Sequence, residues 1–207
     1  MNCIMVIQTT KVDRLGAAEF PEWFRLRMGV PTASRFGEVY TATGKPSASS
    51  ESYMYSLLAE IRANEPAESF TSEAMERGTM LEPEAVTAYE MMKDRSMETI
   101  GFVTNDAGTI GCSPDRMGLE VKCPALKTHL KYLIDGKCPT KYIPQVQGCI
   151  WLCEQDQWDF MSYHPDERPF IVTVKRDENY IAGLSKHLNE FIDKLTNAKA
   201  KLESGKW

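Results

Sequence analysis

The stretch Ser113-Pro-Asp-Arg-Met-Gly-Leu-Glu-Val-Lys-Cys-Pro124 decides how the rest of this chain reads. Apolar and polar residues alternate from 119 to 123. Successive side chains of a strand point to opposite faces, so Glu120 and Lys122 share one face while Leu119, Val121 and Cys123 share the other. The apolar face belongs against a core. That orientation sets a carboxylate and an ammonium side by side on the opposite face. Residues 109–113 read as a preceding strand, with 113–118 as the turn between the two. If these strands pair, Asp115 and Glu120 converge. Two adjacent carboxylates repel, and a cation offsets the repulsion. Hard oxygen ligands at a partly open site suit Mg²⁺ or Mn²⁺. Lys122 beside them is placed to position a nucleophilic water or to stabilise charge on a phosphate. A surface hairpin with one Glu–Lys pair has the same pattern and needs no metal, since such pairs contribute about 0–1 kcal/mol. Spacing alone leaves both readings open.

Upstream, the periodicity is helical. Residues 17–28 form one helix, ended at Gly29. Thr32 caps a short second one carrying Ala33, Phe36, Val39 and Tyr40. Residues 50–64 and 72–93 form two longer helices, separated from the short one by the Thr/Gly/Pro/Ser-rich loop 41–50. Residues 99–104 read as a strand. Downstream of Pro124 come helices over 125–134, ended by Gly136, and 142–153, with Pro144 in its first turn. Strands 158–163 and 170–175 make a hairpin around His-Pro-Asp-Glu-Arg-Pro. The last helix, 178–202, has an apolar stripe of Ile181, Leu184, Leu188, Phe191, Ile192 and Leu195. The expectation is an α/β fold: helices first, then a mixed central β-sheet with helices packed on it.

The 207 residues suit one domain, 1–207, large enough to bury a core without disulfides or metal. Hydrophobic residues at 43% and charged residues at 26% exclude a disordered or coiled-coil chain. No apolar run is long enough to cross a membrane, and the run 4–7 is too short for a secretion signal. The expected location is cytoplasmic. The six cysteines (3, 112, 123, 138, 149 and 153) show no CxxC pair and read mostly as reduced, apolar fillers. A net charge of −5 speaks against a basic nucleic-acid coat. It leaves room for an enzyme that gathers carboxylates around metal and confines its cations to a groove. Candidates for that lining are Arg25, Arg27, Arg35, Lys45, Lys127, Lys131 and Lys137.

The "PD…EVK" pattern resembles the PD-(D/E)XK nuclease superfamily. More specifically, the chain resembles the phage lambda-type exonuclease (YqaJ-like viral recombinase) family. Four blocks carry the likeness in order: Arg27-Met-Gly-Val-Pro-Thr-Ala-Ser34, Arg77-Gly-Thr-Met-Leu-Glu82, the 113–124 stretch, and Tyr142-Ile-Pro-Gln-Val-Gln-Gly-Cys-Ile-Trp151. Trp158-Asp-Phe…Tyr-His-Pro and Val174-Lys-Arg-Asp-Glu are also similar. The resemblance implies a restriction-endonuclease-like core and a metal-dependent 5′→3′ exonuclease. Such an enzyme digests linear double-stranded DNA to 5′-mononucleotides and leaves 3′ overhangs for recombination. It implies two Mg²⁺ ions, with Mn²⁺ able to substitute, on Asp115, Glu120, the carbonyl of Val121, and Glu82. Lys122 is then the catalytic lysine and Gln145 an active-site residue, while Arg27, Ser34 and Ser113 receive the 5′-phosphate. It further implies DNA ends as substrate, a homotrimeric ring, a single-strand annealing protein as partner, and a bacterial or phage-infected cell as setting.

From the residues alone, several of these have plainer readings. Glu82 borders an apolar stripe, where a carboxylate needs a partner, yet a helix-surface Glu is commoner. Gln145 in a first helical turn serves equally as a cap. Arg27 is a phosphate fork or a solvated Arg at a helix end. Trp207 and Tyr132 fit an interface or the core. Three alternatives compete with the exonuclease: a non-catalytic DNA-end-binding recombination protein, a related endonuclease, and a nuclease with an iron–sulfur cluster on Cys123, Cys138, Cys149 and Cys153. The presence of Glu82, Asp115, Glu120 and Lys122 disfavours the first, and cysteine spacing disfavours the last.

Overall fold

The computed structural model describes residues 5–7, 22–65 and 73–205. In chain order the elements are strand β1 (Met5–Ile7), helices α1 (Glu22–Arg27), α2 (Ser50–Ala63) and α3 (Glu73–Lys93), and strands β2 (Phe102–Thr104), β3 (Gly111–Cys112) and β4 (Leu119–Lys122). Then come α4 (Leu126–Asp135), α5 (Ile143–Leu152), β5 (Gln157–Ser162), β6 (Phe170–Lys175) and α6 (Glu178–Ser204). Short 3-10 turns lie at Ala33–Glu38 and Thr140–Tyr142. Residues 17–21, Ser72, Cys3 and Trp207, which figure in the expectations above, lie outside the described residues.

The α/β character and the mixed sheet are as expected, but the strands fall into two three-stranded sheets. β1-β2-β3 is antiparallel. In the second sheet β4 runs parallel to β5, and β5 pairs antiparallel with β6 through the expected hairpin. The expected pairing of β3 with β4 does not occur. The turn is too tight: Arg116 and Leu119 exchange backbone hydrogen bonds, and Gly118 adopts φ +79°, a left-handed value that glycine reaches without strain. Asp115 therefore stays outside any ladder.

Thr32 precedes a 3-10 helix and its side chain does not cap it. Its hydroxyl meets the Ser34 hydroxyl at 3.3 Å, and its N–H donates to the Tyr53 hydroxyl. Where the helical stop residues were glycine, they behave as read: Gly136 and Gly29 are left-handed. Gly29 donates its N–H to Glu60.

Two apolar cores meet β5, and the smaller of them also takes in β4. The larger joins Phe36, Tyr53, Leu57 and Ile150 to Trp158 and to the α6 stripe Ile181, Leu184, Leu188, Phe191 and Leu195. The smaller joins Leu119, Val121 and Cys123 of the β4 region to Ala85, Val86 and Tyr89 of α3. The apolar face of β4 thus meets a core, as its alternation requires. Helix α5 lies against the 3-10 turn so closely that a Cβ on Gly148 would enter the Phe36 ring. Gln147 on the same helix is 3% exposed; it donates to the Lys175 carbonyl and accepts from the Asp177 N–H. That clamp fixes α5 against the end of β6 and the start of α6. Among the described residues no helix is long and apolar enough to cross a membrane.

Candidate active site

The polar face of β4 is not open to solvent. Glu120 is 1% exposed, and its carboxylate forms an ion pair with Lys122, two residues along the same face. Gln145, from the first turn of α5, donates its amide to the same Glu120 oxygen at 2.5 Å. The bond gives Gln145 a polar partner beyond its own helix end, so capping is not its role here.

Asp115 reaches the same strand from the turn. Its carboxylate accepts the Val121 N–H at 2.8 Å. The carbonyls of Gly118 and Lys122 accept from Asp159 and Tyr163 on the β5 side. Val121 is out of step with both, so its N–H and carbonyl face the other edge, where Asp115 stands. Asp115 and Glu120 therefore meet at β4 without strand pairing, through a side-chain bond to the backbone.

Glu82 on α3 approaches from the opposite layer. Its carboxylate lies 4.0 Å from the Arg116 guanidinium, and Arg116 also donates to the Asp115 carbonyl at 2.5 Å. Arg116 was not singled out in the sequence reading, although it sits within the motif between the acidic residues. The Cys123 thiol lies within reach of the Glu82 and Asp115 charges. Burial, then the Glu82 and Asp115 charges, push it up to about 11. Among the described residues, no three His, Cys, Asp or Glu side chains close into a ready-made metal cage. The ligands that the resemblance implies offer only oxygen, three carboxylates and a carbonyl, which would suit a hard divalent ion and no soft one.

Lys122 carries the positive charge beside Glu120. Burial works against its ammonium, but the Glu120 and Asp115 carboxylates outweigh burial and hold its proton more tightly than in a free lysine. Its Nζ also lies 5.3 Å from the Tyr142 ring centroid.

The candidate phosphate residues are partly assembled. The Arg27 guanidinium donates to the Ser113 hydroxyl at 3.0 Å. Thr32 bridges Gly111, so Ser34 and Ser113 each lie two residues beyond a shared backbone contact. Ser34 is exposed. Of the expected basic lining, Arg35 is committed to a bidentate pair with Glu38 and to the Tyr53 ring, and Lys131 to Asp135. Arg25, Lys45, Lys127 and Lys137 are exposed. Tyr132 is a core residue, 5% exposed and edge-on to Phe160.

The five described cysteines are free thiols. Cys112 meets Cys149 and Cys153 inside the core. Cys138 stands apart, with burial and then the Glu120 charge pushing its thiol up to about 12.

The chain is similar to known proteins in sequence and in fold. The family model for the YqaJ-like viral recombinase domain matches residues 22–156. The uncharacterized protein ExoD of Escherichia coli (strain K12) is 34% identical over 64 residues, covering 30% of this chain and 74% of that protein. The alkaline exonuclease LHK-Exo of Laribacter hongkongensis, solved alone and in complex with dAMP, superposes with a TM-score of 0.81 at 28% identity, over 90% of this chain and 97% of that one. A phage related exonuclease from Haemophilus somnus 129PT shares the fold with a TM-score of 0.62 at 16% identity, over 82% of this chain and 96% of that one. These likenesses identify the two sheets and their helices as a restriction-endonuclease-like fold.

Proposed function

The chain belongs to the YqaJ-like viral recombinase domain family, a family of nucleases, and from that premise we propose that it is a metal-dependent 5′→3′ exonuclease acting on ends of linear double-stranded DNA. The observation that carries the proposal is the meeting of Asp115, Glu120, Lys122 and Gln145 at β4, with Glu82 facing them across Arg116. LHK-Exo supports the product class, since dAMP is a deoxynucleoside monophosphate.

In this reading Asp115, Glu120, Glu82 and the Val121 carbonyl hold Mg²⁺, with Mn²⁺ as a substitute. When bound there, the metal supplies Lewis acidity that activates water and neutralises phosphate charge. The protein's own groups do the orienting. The Val121 N–H fixes the Asp115 carboxylate, and the Gln145 amide fixes that of Glu120. Lys122, held protonated, offers N–H donors and a positive charge to the scissile phosphate and the attacking water. Arg27, beside Ser113 and with Ser34 nearby, receives the 5′-phosphate as a charge-assisted fork. An acidic site of this kind accepts a polyanion because bound cations invert the local charge, which reconciles the site with a chain of net charge −5.

The test is digestion of a 5′-phosphorylated linear duplex in Mg²⁺. The expected result is release of 5′-mononucleotides with 3′ overhangs left behind, blocked by EDTA, with closed circular DNA intact. Binding of ends with no loss of nucleotide would favour a non-catalytic end-binding protein, and nicking of the circle an endonuclease.

A further inference from the structure

Lys122 ends a flexible four-carbon stem, and its ion-pair partner, Glu120 Oε1, also accepts the Gln145 amide. An ion pair to one shared oxygen, with the Asp115 charge also nearby, does not by itself fix the direction of the ammonium. The second contact is the Tyr142 ring, 5.3 Å from Nζ to centroid, within the range where an ammonium is attracted to an aromatic face. That ring is held from behind. It stacks on Phe160 at 5.2 Å and 29°, and Phe160 is fully buried as the ladder partner of Glu120. Phe160 is in turn met edge-on by Tyr132 of α4. Tyr132 and Lys141 also lie close enough to Tyr142 to interact with it electrostatically.

Resting on the nuclease reading above, we infer that Tyr142 is a positioning residue: its ring face, backed by Phe160, fixes the direction of the Lys122 ammonium at the scissile phosphate. The hydroxyl is dispensable to this role. The Lys141 ammonium lies 4.7 Å from the same centroid, but Lys141 is exposed, so its contact is weaker and serves the surface.

The experiment replaces Tyr142 by Phe and then by mono-, di- and trifluorinated Phe, which weaken the ring's negative face with little change in volume. Single-turnover cleavage of a 5′-phosphorylated duplex gives kcat, titration of DNA ends gives KM, and thermal melting monitors the fold. Tyr142→Phe should keep most of the wild-type rate. Across the fluorinated series kcat should fall steadily, by about tenfold in all, with KM and melting temperature constant. A kcat that ignores ring electronics, or a loss confined to KM, overturns the inference and leaves an active wild-type nuclease standing. Lys141→Met should cleave at close to the wild-type rate; if it reproduces the loss, the ring serves Lys141 and the inference is wrong. A wild-type protein inert on DNA ends in Mg²⁺ removes the nuclease reading and this inference together.

Discussion

Glu120 is the residue on which expectation and structure differ most usefully. Alternation along 119–123 correctly put Glu120 and Lys122 on one face, opposite the apolar residues of the strand. That face is not an open surface: the Glu120 side chain is 1% exposed and the Lys122 side chain 28%. Stripping one partner from a buried pair leaves a poorly solvated charge. Lys122→Ala should therefore lose cleavage by about 100-fold or more and also destabilise the fold by roughly 1–3 kcal/mol, with Gln145 still bonded to the carboxylate. Glu120→Gln should lose cleavage comparably while melting closer to wild type, because it removes the charge and keeps the shape. End-labelled duplex assays beside thermal melts separate the two effects. The buried state of Glu120 was not legible because Gln145, which bonds its carboxylate, comes from a segment more than twenty positions downstream. Arg116 was missed for another reason: an Arg in a turn between strands has no periodic signal, and only the approach of α3 gives it Glu82.

Elements were read well where a face is periodic. The α6 stripe and the β5–β6 hairpin stand as the pattern implied. The β3–β4 pairing failed because the 116–119 turn closes on itself, a matter of local hydrogen bonds and one left-handed glycine. Nor does periodicity reveal close approach. Gly148→Ala should cost about 1–3 kcal/mol by overpacking against Phe36 and slow cleavage by shifting Gln145 on the same helix; denaturant melts and the nuclease assay check both. Helix α3, which carries Glu82, is tied to β5 by Tyr89 donating to Asp159 at 2.7 Å, and by Tyr163 donating to Glu84 at 2.6 Å. Burial would raise the Asp159 carboxyl, but hydrogen bonds from Thr173 and Tyr89 and the Lys93 ammonium prevail and hold it below the usual carboxylate range. A depressed folded value means that this stabilisation is complete above the unfolded pKa of about 3.9. It is lost as pH falls through the folded value. Asp159→Asn should thus melt lower at neutral pH, by roughly 1–3 kcal/mol, and show a flatter loss of stability than wild type as pH drops below about 4.

At the scale of the whole molecule, an apolar core backs one face of β4, and the candidate site lies on its polar side, where layers from four regions of sequence converge: the turn, the strand, α3 and α5. Motif order along the chain made that convergence legible as a resemblance. The layers themselves were not legible, because contacts between α3 and β4 depend on chain geometry rather than on any local pattern. The homotrimeric ring implied by the resemblance belongs to this scale as well. Sedimentation equilibrium should return three times the 23.4 kDa chain mass, and a single-chain mass across the working concentration range would contradict a ring. The central claim is that carboxylates from separate stretches, Asp115 and Glu120 first among them, together hold divalent metal. Mn²⁺ titration followed by electron paramagnetic resonance tests it most directly, on wild type, Asp115→Asn and Glu120→Gln, each checked by melting. The expected result is saturable binding by wild type and at least about tenfold weaker binding by each folded variant; equal Mn²⁺ affinity in all three proteins would contradict the account.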